Sequence, residues 1–180
     1  MSYAAAKDCV RRYHRSSGDV SIIRNRIATL RHSAKSKPTK DAIQDRNNAE
    51  VLTTYLDRFA TPFRTSLPNG AKPKTLNWVY DGLRVTGTPH LAVVNNRRVT
   101  KYLYLITAKD WTDRQKKFFT SLLSDIVANN YSDTVPKDVE CLDCRSGTKI
   151  KRNGLSINGL RRVRYLAREL SRLGIGNRAA

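Results

Sequence analysis

The chain is poor in acid: 15 Asp and Glu stand against 34 Lys and Arg in 180 residues, a formal net charge of +19. It has no run of about eighteen or more apolar residues, which excludes a transmembrane helix. The opening stretch Met1-Ser2-Tyr3-Ala4-Ala5-Ala6-Lys7 lacks a charged region followed by a long apolar one, so no secretory signal is expected. Three cysteines, an odd number, make no disulfide framework, and a reducing cytoplasm is the expected compartment. Histidine is as scarce, with three scattered at 14, 32 and 90, a spacing that offers no Ser/His/Asp triad. Gly82 and Gly87 are followed by Thr88 and Pro89 rather than by Lys and Ser or Thr, so there is no phosphate-cradling P-loop. Internal repeats and low-complexity segments are also missing.

What is present is charge at the two ends. Residues 1–40 hold ten basic and two acidic side chains, and residues 145–180 hold ten and one. Segments 41–80 and 81–144 are nearly balanced, at five against four and nine against eight. An excess this large exceeds what solubility requires and raises the prospect of a polyanionic partner, DNA or RNA. A basic surface can equally dock on an acidic protein partner, or simply be two solvated helices. No membrane partner is expected.

Hydrophobic periodicity predicts a helix over 3–15 (Tyr3, Ala6, Val10, Tyr13) with Arg11, Arg12 and Arg15 on its surface. After a Ser16-Ser17-Gly18 break, Asp19 is the expected N-cap of a second helix with Ile23, Ile27 and Leu30 inward and Arg24, Arg26 and Arg31 outward. A third helix is expected from Asp41 to Phe59, burying Ile43, Leu52, Tyr55, Leu56 and Phe59. Residues 61–75 carry three prolines and Asn69-Gly70, the composition of a long loop. Strands follow at Leu76–Val85, His90–Val94 and Arg98–Thr107, with Gly87-Thr88-Pro89 and Asn95-Asn96 as turns. Thr112-Asp113-Arg114-Gln115 is a capping box for a helix burying Phe118, Phe119, Leu122, Leu123, Ile126 and Val127. A strand over Val139–Ile150, bent at Ser146-Gly147, leads to a basic amphipathic helix at about 156–174. There Arg161, Arg164, Arg168 and Arg172 oppose Leu160, Val163, Leu166, Leu170 and Leu173 at about 100° per residue.

Within this order, Gly87-x-x-His90 opens the second strand, Thr107-Ala108-Lys109 ends the third, and Gln115-x-x-x-Phe119 begins the crossing helix. Over roughly 50–150 the pattern resembles the RecB-like branch of the PD-(D/E)XK nuclease superfamily. That branch has Gly-x-x-Asp, Asp/Glu-x-Lys and Gln-x-x-x-Tyr at these places. The resemblance implies an α/β (α+β) fold, an αβββαβ restriction-endonuclease-like core with an added helical amino-terminal segment. It also implies a nuclease in which two carboxylates hold Mg²⁺ and the lysine neutralises developing charge. Here His90 and Thr107 occupy the acid positions, so the resemblance implies a degenerate site with His90, Thr107, Lys109 and Gln115 as vestiges. An alternative keeps the nuclease active with Mg²⁺ held by displaced carboxylates from Glu50, Asp81 and Asp110. Duller readings stand beside these: Lys109 as an exposed strand end, Gln115 as a capping residue, and His90 as a structural histidine.

Cys141 and Cys144 have metal-knuckle spacing, and Cys9 with His14 could complete four ligands. A strand, however, points Cys141 and Cys144 to opposite faces, which favours buried free thiols, and no metal or other cofactor is expected. The sequence thus predicts a single domain over 1–180, comprising a helical segment (1–60), a sheet core (76–150) and the basic helix (156–174). Its expected role is nucleic-acid binding through Arg11, Arg12, Arg24 and Arg31 at one end and Arg161, Arg164, Arg168 and Arg172 at the other.

Overall fold

In the computed structural model the described residues are 3–60, 75–80, 83–95, 98–107, 111–130 and 138–151, with single positions 161, 165 and 168. They form a mixed α+β fold. Three helices come first, α1 (Ala4–Arg15), α2 (Val20–Ser36) and α3 (Thr39–Tyr55), the last running into a π-helical turn, Leu56–Ala60. Strands β1 (Leu76–Tyr80), β2 (Leu83–Gly87), β3 (Leu91–Asn95) and β4 (Arg98–Ile106) follow, then α4 (Asp113–Asn130), β5 (Asp138–Asp143) and β6 (Thr148–Lys151).

Local chemistry explains the helical segment. Ser17 and Gly18 take the left-handed backbone region (φ 59° and 91°) and reverse the chain after α1. The Gly18 amide donates to the Tyr13 carbonyl at 2.9 Å, and the Asp19 carboxylate then caps α2 by accepting from the Ser21 amide at 2.9 Å. The buried stripe of α2 is Ile23, Ile27, Leu30 and Ala34, as its spacing predicts. α3 departs from expectation. Ile43 is 42% exposed, whereas Ala42, Asp45, Asn48 and Ala49 face inward because partners satisfy the polar ones. Lys37 meets Asp45 at 2.8 Å, and the Asn48 amide oxygen accepts from the Ala6 amide at 3.0 Å, satisfying a first-turn donor of α1.

Two strands predicted as single are each a pair. The run Leu76–Val85 reverses after Tyr80, so that β1 pairs antiparallel with β2, Leu76 opposite Gly87 and Tyr80 opposite Leu83. Asp81-Gly82, the dipeptide between them, is a hairpin signal that outweighs the continuous alternation on either side. Likewise Val139–Ile150 is not one bent strand but β5 and β6, antiparallel with Asp143 opposite Thr148. The main sheet has the order β3-β4-β5-β6, with β4 and β5 parallel across the α4 crossover, and β1-β2 is a separate two-stranded sheet. Two strands of the main sheet thus precede the crossing helix, rather than the three expected.

The sheet is covered on both sides. On β4, Leu103 and Leu105 join the core beneath α1–α3, while Tyr102, Tyr104 and Ile106 join the core beneath α4, the period-two alternation of a strand. The β1–β2 hairpin lies against α4 closely enough that a Cβ on Gly87 would stand 3.1 Å from Leu123 Cδ2. Asn130 ties the same hairpin down, its side chain donating to the Asn77 carbonyl and accepting from the Asn77 amide at 3.3 Å.

Candidate nucleic-acid interface

α2 carries Arg24, Arg26, Arg31 and Lys35 and no acidic residue. Around its axis Arg24, Arg31 and Lys35 recur at steps of seven and four, which places them on one flank beside the buried stripe. All three are exposed, and Arg31 Nη2 donates to Thr53 Oγ1 at 3.4 Å, which sets that flank along α3. Arg26 lies on the other flank. With Arg12, Asn25 and Thr29 it lines a groove of about 260 Å³ between α1 and α2. Arg12 is exposed there and pairs with Asp8 at 2.9 Å. Arg161 and Arg168 are helical and exposed, with Tyr165, 65% exposed, between them at helical spacing. Arg164 and Arg172 lie outside the described residues.

Arg11 requires a correction. Expected on the surface, it is half-buried, and its Nε is enclosed with no hydrogen-bond partner. The cause is the α1 face on which it sits. Tyr3, Lys7 and Arg11 follow at steps of four along that face, and Tyr3 is docked at the β5–β6 turn by Arg145. Arg145 donates from Nη1 to Glu50 at 2.8 Å, from Nε to the Thr107 carbonyl at 3.3 Å and from Nη2 to Tyr3 and Asn47, with its guanidinium 5.4 Å from the Tyr3 ring centre. Neither Arg145 nor Lys7 stands out in the sequence; the only hint at Lys7 is its four-residue step to Arg11.

Among the described residues, the positions that carry the nuclease-like pattern make structural contacts. The His90 amide donates to the Leu103 carbonyl at 3.0 Å, and its Nδ1 accepts from the Leu105 amide at 2.8 Å. The proton of the neutral ring is therefore on Nε2. Burial, followed by the charges of Lys7 and Arg11, pushes its pKa down to about 3. Thr107 is buried with its carbonyl taken by Arg145. Gln115 closes the predicted capping box: its side-chain oxygen accepts from the Thr112 amide at 2.8 Å, and its own amide donates to Thr112 Oγ1 at 3.3 Å. Of the alternative carboxylates, Glu50 is ion-paired to Arg145. Lys109, Asp81 and Asp110 lie outside the described residues.

The thiols do not converge. Cys9 and Cys144 belong to the core beneath α1–α3 and Cys141 to the core beneath α4, on the other side of the sheet. Burial raises their pKa values to about 11, 12 and 12 for Cys9, Cys141 and Cys144, so all three are protonated thiols. His14 is hydrogen-bonded to the Tyr55 hydroxyl instead of facing a cysteine. Among the described residues no three His, Cys, Asp or Glu side chains are placed to hold a metal ion, and no helix is long and apolar enough to cross a membrane. Comparison with models of known protein families, with curated proteins and with solved structures found no match to this chain.

Proposed function

We propose that the protein binds nucleic acid, DNA or RNA, through its basic helices, on a scaffold that does not carry out metal-dependent cleavage. The observation that carries this reading is α2: four cations, no acid, and Arg24, Arg31 and Lys35 aligned on one exposed flank. Guanidinium forks on such a ridge suit the repeating phosphates of a strand. Arg161 and Arg168 with exposed Tyr165 add a second element of the same chemistry, cations beside a ring on which a base can stack.

Electrostatics supports the absence of cleavage. In the PD-(D/E)XK-like reading, Mg²⁺ would sit near His90 and Thr107, where Lys7 and Arg11 supply positive charge and Glu50 is already engaged by Arg145. A hard divalent cation needs anionic oxygens in place of these groups.

Fluorescence anisotropy with labelled single- and double-stranded DNA and RNA at low and moderate salt tests the binding. Affinity should fall steeply with salt, and changing Arg24, Arg31 and Lys35 together to Ala should flatten the log–log salt slope by about 2 to 3. Absence of binding at low salt, or an unchanged slope in the triple variant, sinks the proposal. Incubation with Mg²⁺ or Mn²⁺ should leave the nucleic acid intact.

A further inference from the structure

The groove between α1 and α2 lies on the flank of α2 that the Arg24–Lys35 ridge leaves unused. Its α1 wall is Ala5, Asp8, Cys9 and Arg12, the spacing i, i+3, i+4, i+7 of one continuous helix face. The α2 wall repeats that spacing from Ile22 to Thr29. Two such faces set against each other ordinarily close on apolar side chains at the density of an organic crystal. Here small residues prevent it. The Cys9 thiol donates to the Ile22 carbonyl at 3.7 Å, where the helices touch, but Ala5 and Cys9 do not fill the space beside Ile22, which stays only half-buried.

The floor is therefore apolar and the rim polar. Arg12 on α1 and Arg26 on α2 are both exposed, and Arg12 is turned onto Asp8 at 2.9 Å. Both guanidiniums and the Asp8 carboxylate bear on the Cys9 thiol, so the three charges converge on this floor, with the cations in excess. Asn25 shares the α2 rim and is exposed. The Thr29 hydroxyl is spent on the Asn25 carbonyl at 2.9 Å, whereas the Asn25 carboxamide offers a donor and an acceptor side by side.

Apolar floor, paired donor and acceptor, and a cation on each wall together complement a flat heteroaromatic base joined to phosphates. The groove holds about 260 Å³, below the roughly 300–1,000 Å³ that encloses a drug-sized ligand, which suits one ring system. A paired base is stacked inside its duplex and cannot enter; an unpaired base can be splayed out of its strand.

We propose that the α1–α2 groove receives one unpaired base of a single-stranded nucleic acid, its edge on Asn25 and the adjoining phosphates on Arg12 and Arg26. The inference rests on the nucleic-acid binding proposed above and adds the strandedness of the partner and a contact to a base. Base and phosphate are common to DNA and RNA, so strands of both sugars are compared, and the tighter one names the source.

Fluorescence anisotropy of the full chain with three ligands of equal length tests this: a labelled single strand, the same strand paired with its complement, and an abasic strand, which keeps the phosphates and lacks the bases. The intact single strand should bind at least about tenfold more tightly than either of the others. Ala5→Phe, which fills the groove, should lower that ratio about tenfold, and Asn25→Ala should lower it in the same direction. Should Ala5→Phe not fold, the Ile22 methyl NMR resonances of the unaltered protein decide: the intact strand must move them more than the abasic strand does. If the abasic strand binds with a steep salt dependence and the intact strand binds no better, nucleic-acid binding stands and the groove site falls. If no strand binds, both fall. A duplex bound as tightly as the single strand, a preference that survives Ala5→Phe but is lost in Tyr165→Ala, or unmoved Ile22 methyls also overturns the proposal.

Discussion

His14 shows what a single residue gains from its surroundings. From sequence it is a spare metal ligand; in the fold it is 2% exposed, bonded to the Tyr55 hydroxyl and edge-on to the Tyr13 ring. Burial lowers its pKa from 6.5 to about 4, so it folds neutral. Between those values the unfolded chain takes up a proton that the native one refuses, and stability must therefore fall as pH drops from 6.5 to about 4. His90, lowered to about 3, acts in the same direction. Urea denaturation at about pH 7 and about pH 4.5 should show a lower midpoint in acid, with a smaller drop in His14→Gln. An equal drop in the variant would show that His14 is not the group responsible.

The next scale is the element. The capping box at Thr112 and Gln115 was legible because it is local: four consecutive residues suffice to write both hydrogen bonds. Its geometry commits the Gln115 side chain to the helix end. Gln115→Ala should lower the unfolding free energy by about 1 kcal/mol and leave nucleic-acid affinity and its salt slope unchanged, which chemical denaturation and anisotropy together would show. The buried stripe of α2 was legible for the same reason, since period and hydrophobicity agree along it. Ile43 was not. Its outward turn depends on Lys37 and on Ala6, whose hydrogen bonds make Asp45 and Asn48 acceptable inside. The β1–β2 hairpin also escaped, because a period-two pattern reads alike through a strand or through a two-residue reversal.

At the scale of the whole molecule, Arg145 connects parts distant in sequence: Tyr3 before α1, Asn47 and Glu50 of α3, and Thr107 at the end of β4. Its own backbone is held by Asp143, which is fully buried and ion-paired with Lys116 of α4. Helices on both sides of the sheet are thus secured at one turn. Arg145→Ala should cost about 2 to 4 kcal/mol in urea denaturation, since it strands several polar groups at once. Arg145→Lys should recover only part, because one ammonium cannot reach four partners on three segments as a guanidinium fork does. A midpoint unchanged by Arg145→Ala would mean that the clamp contributes nothing.

Charge content, the amphipathic stripes of α1, α2 and α4, and the capping chemistry are consequences of the order of residues alone, because each involves neighbours within about two helical turns. Which arginines face water is not of that kind. Arg11 and Arg12 are adjacent and chemically identical, yet one lies exposed beside Asp8 and the other is enclosed near His90. That difference arises only when Tyr3 is anchored to Arg145, 142 residues away, and α1 is laid across the strand ends. Long-range contacts of this sort leave no periodic trace, so the enclosure of Arg11 became visible only in three dimensions.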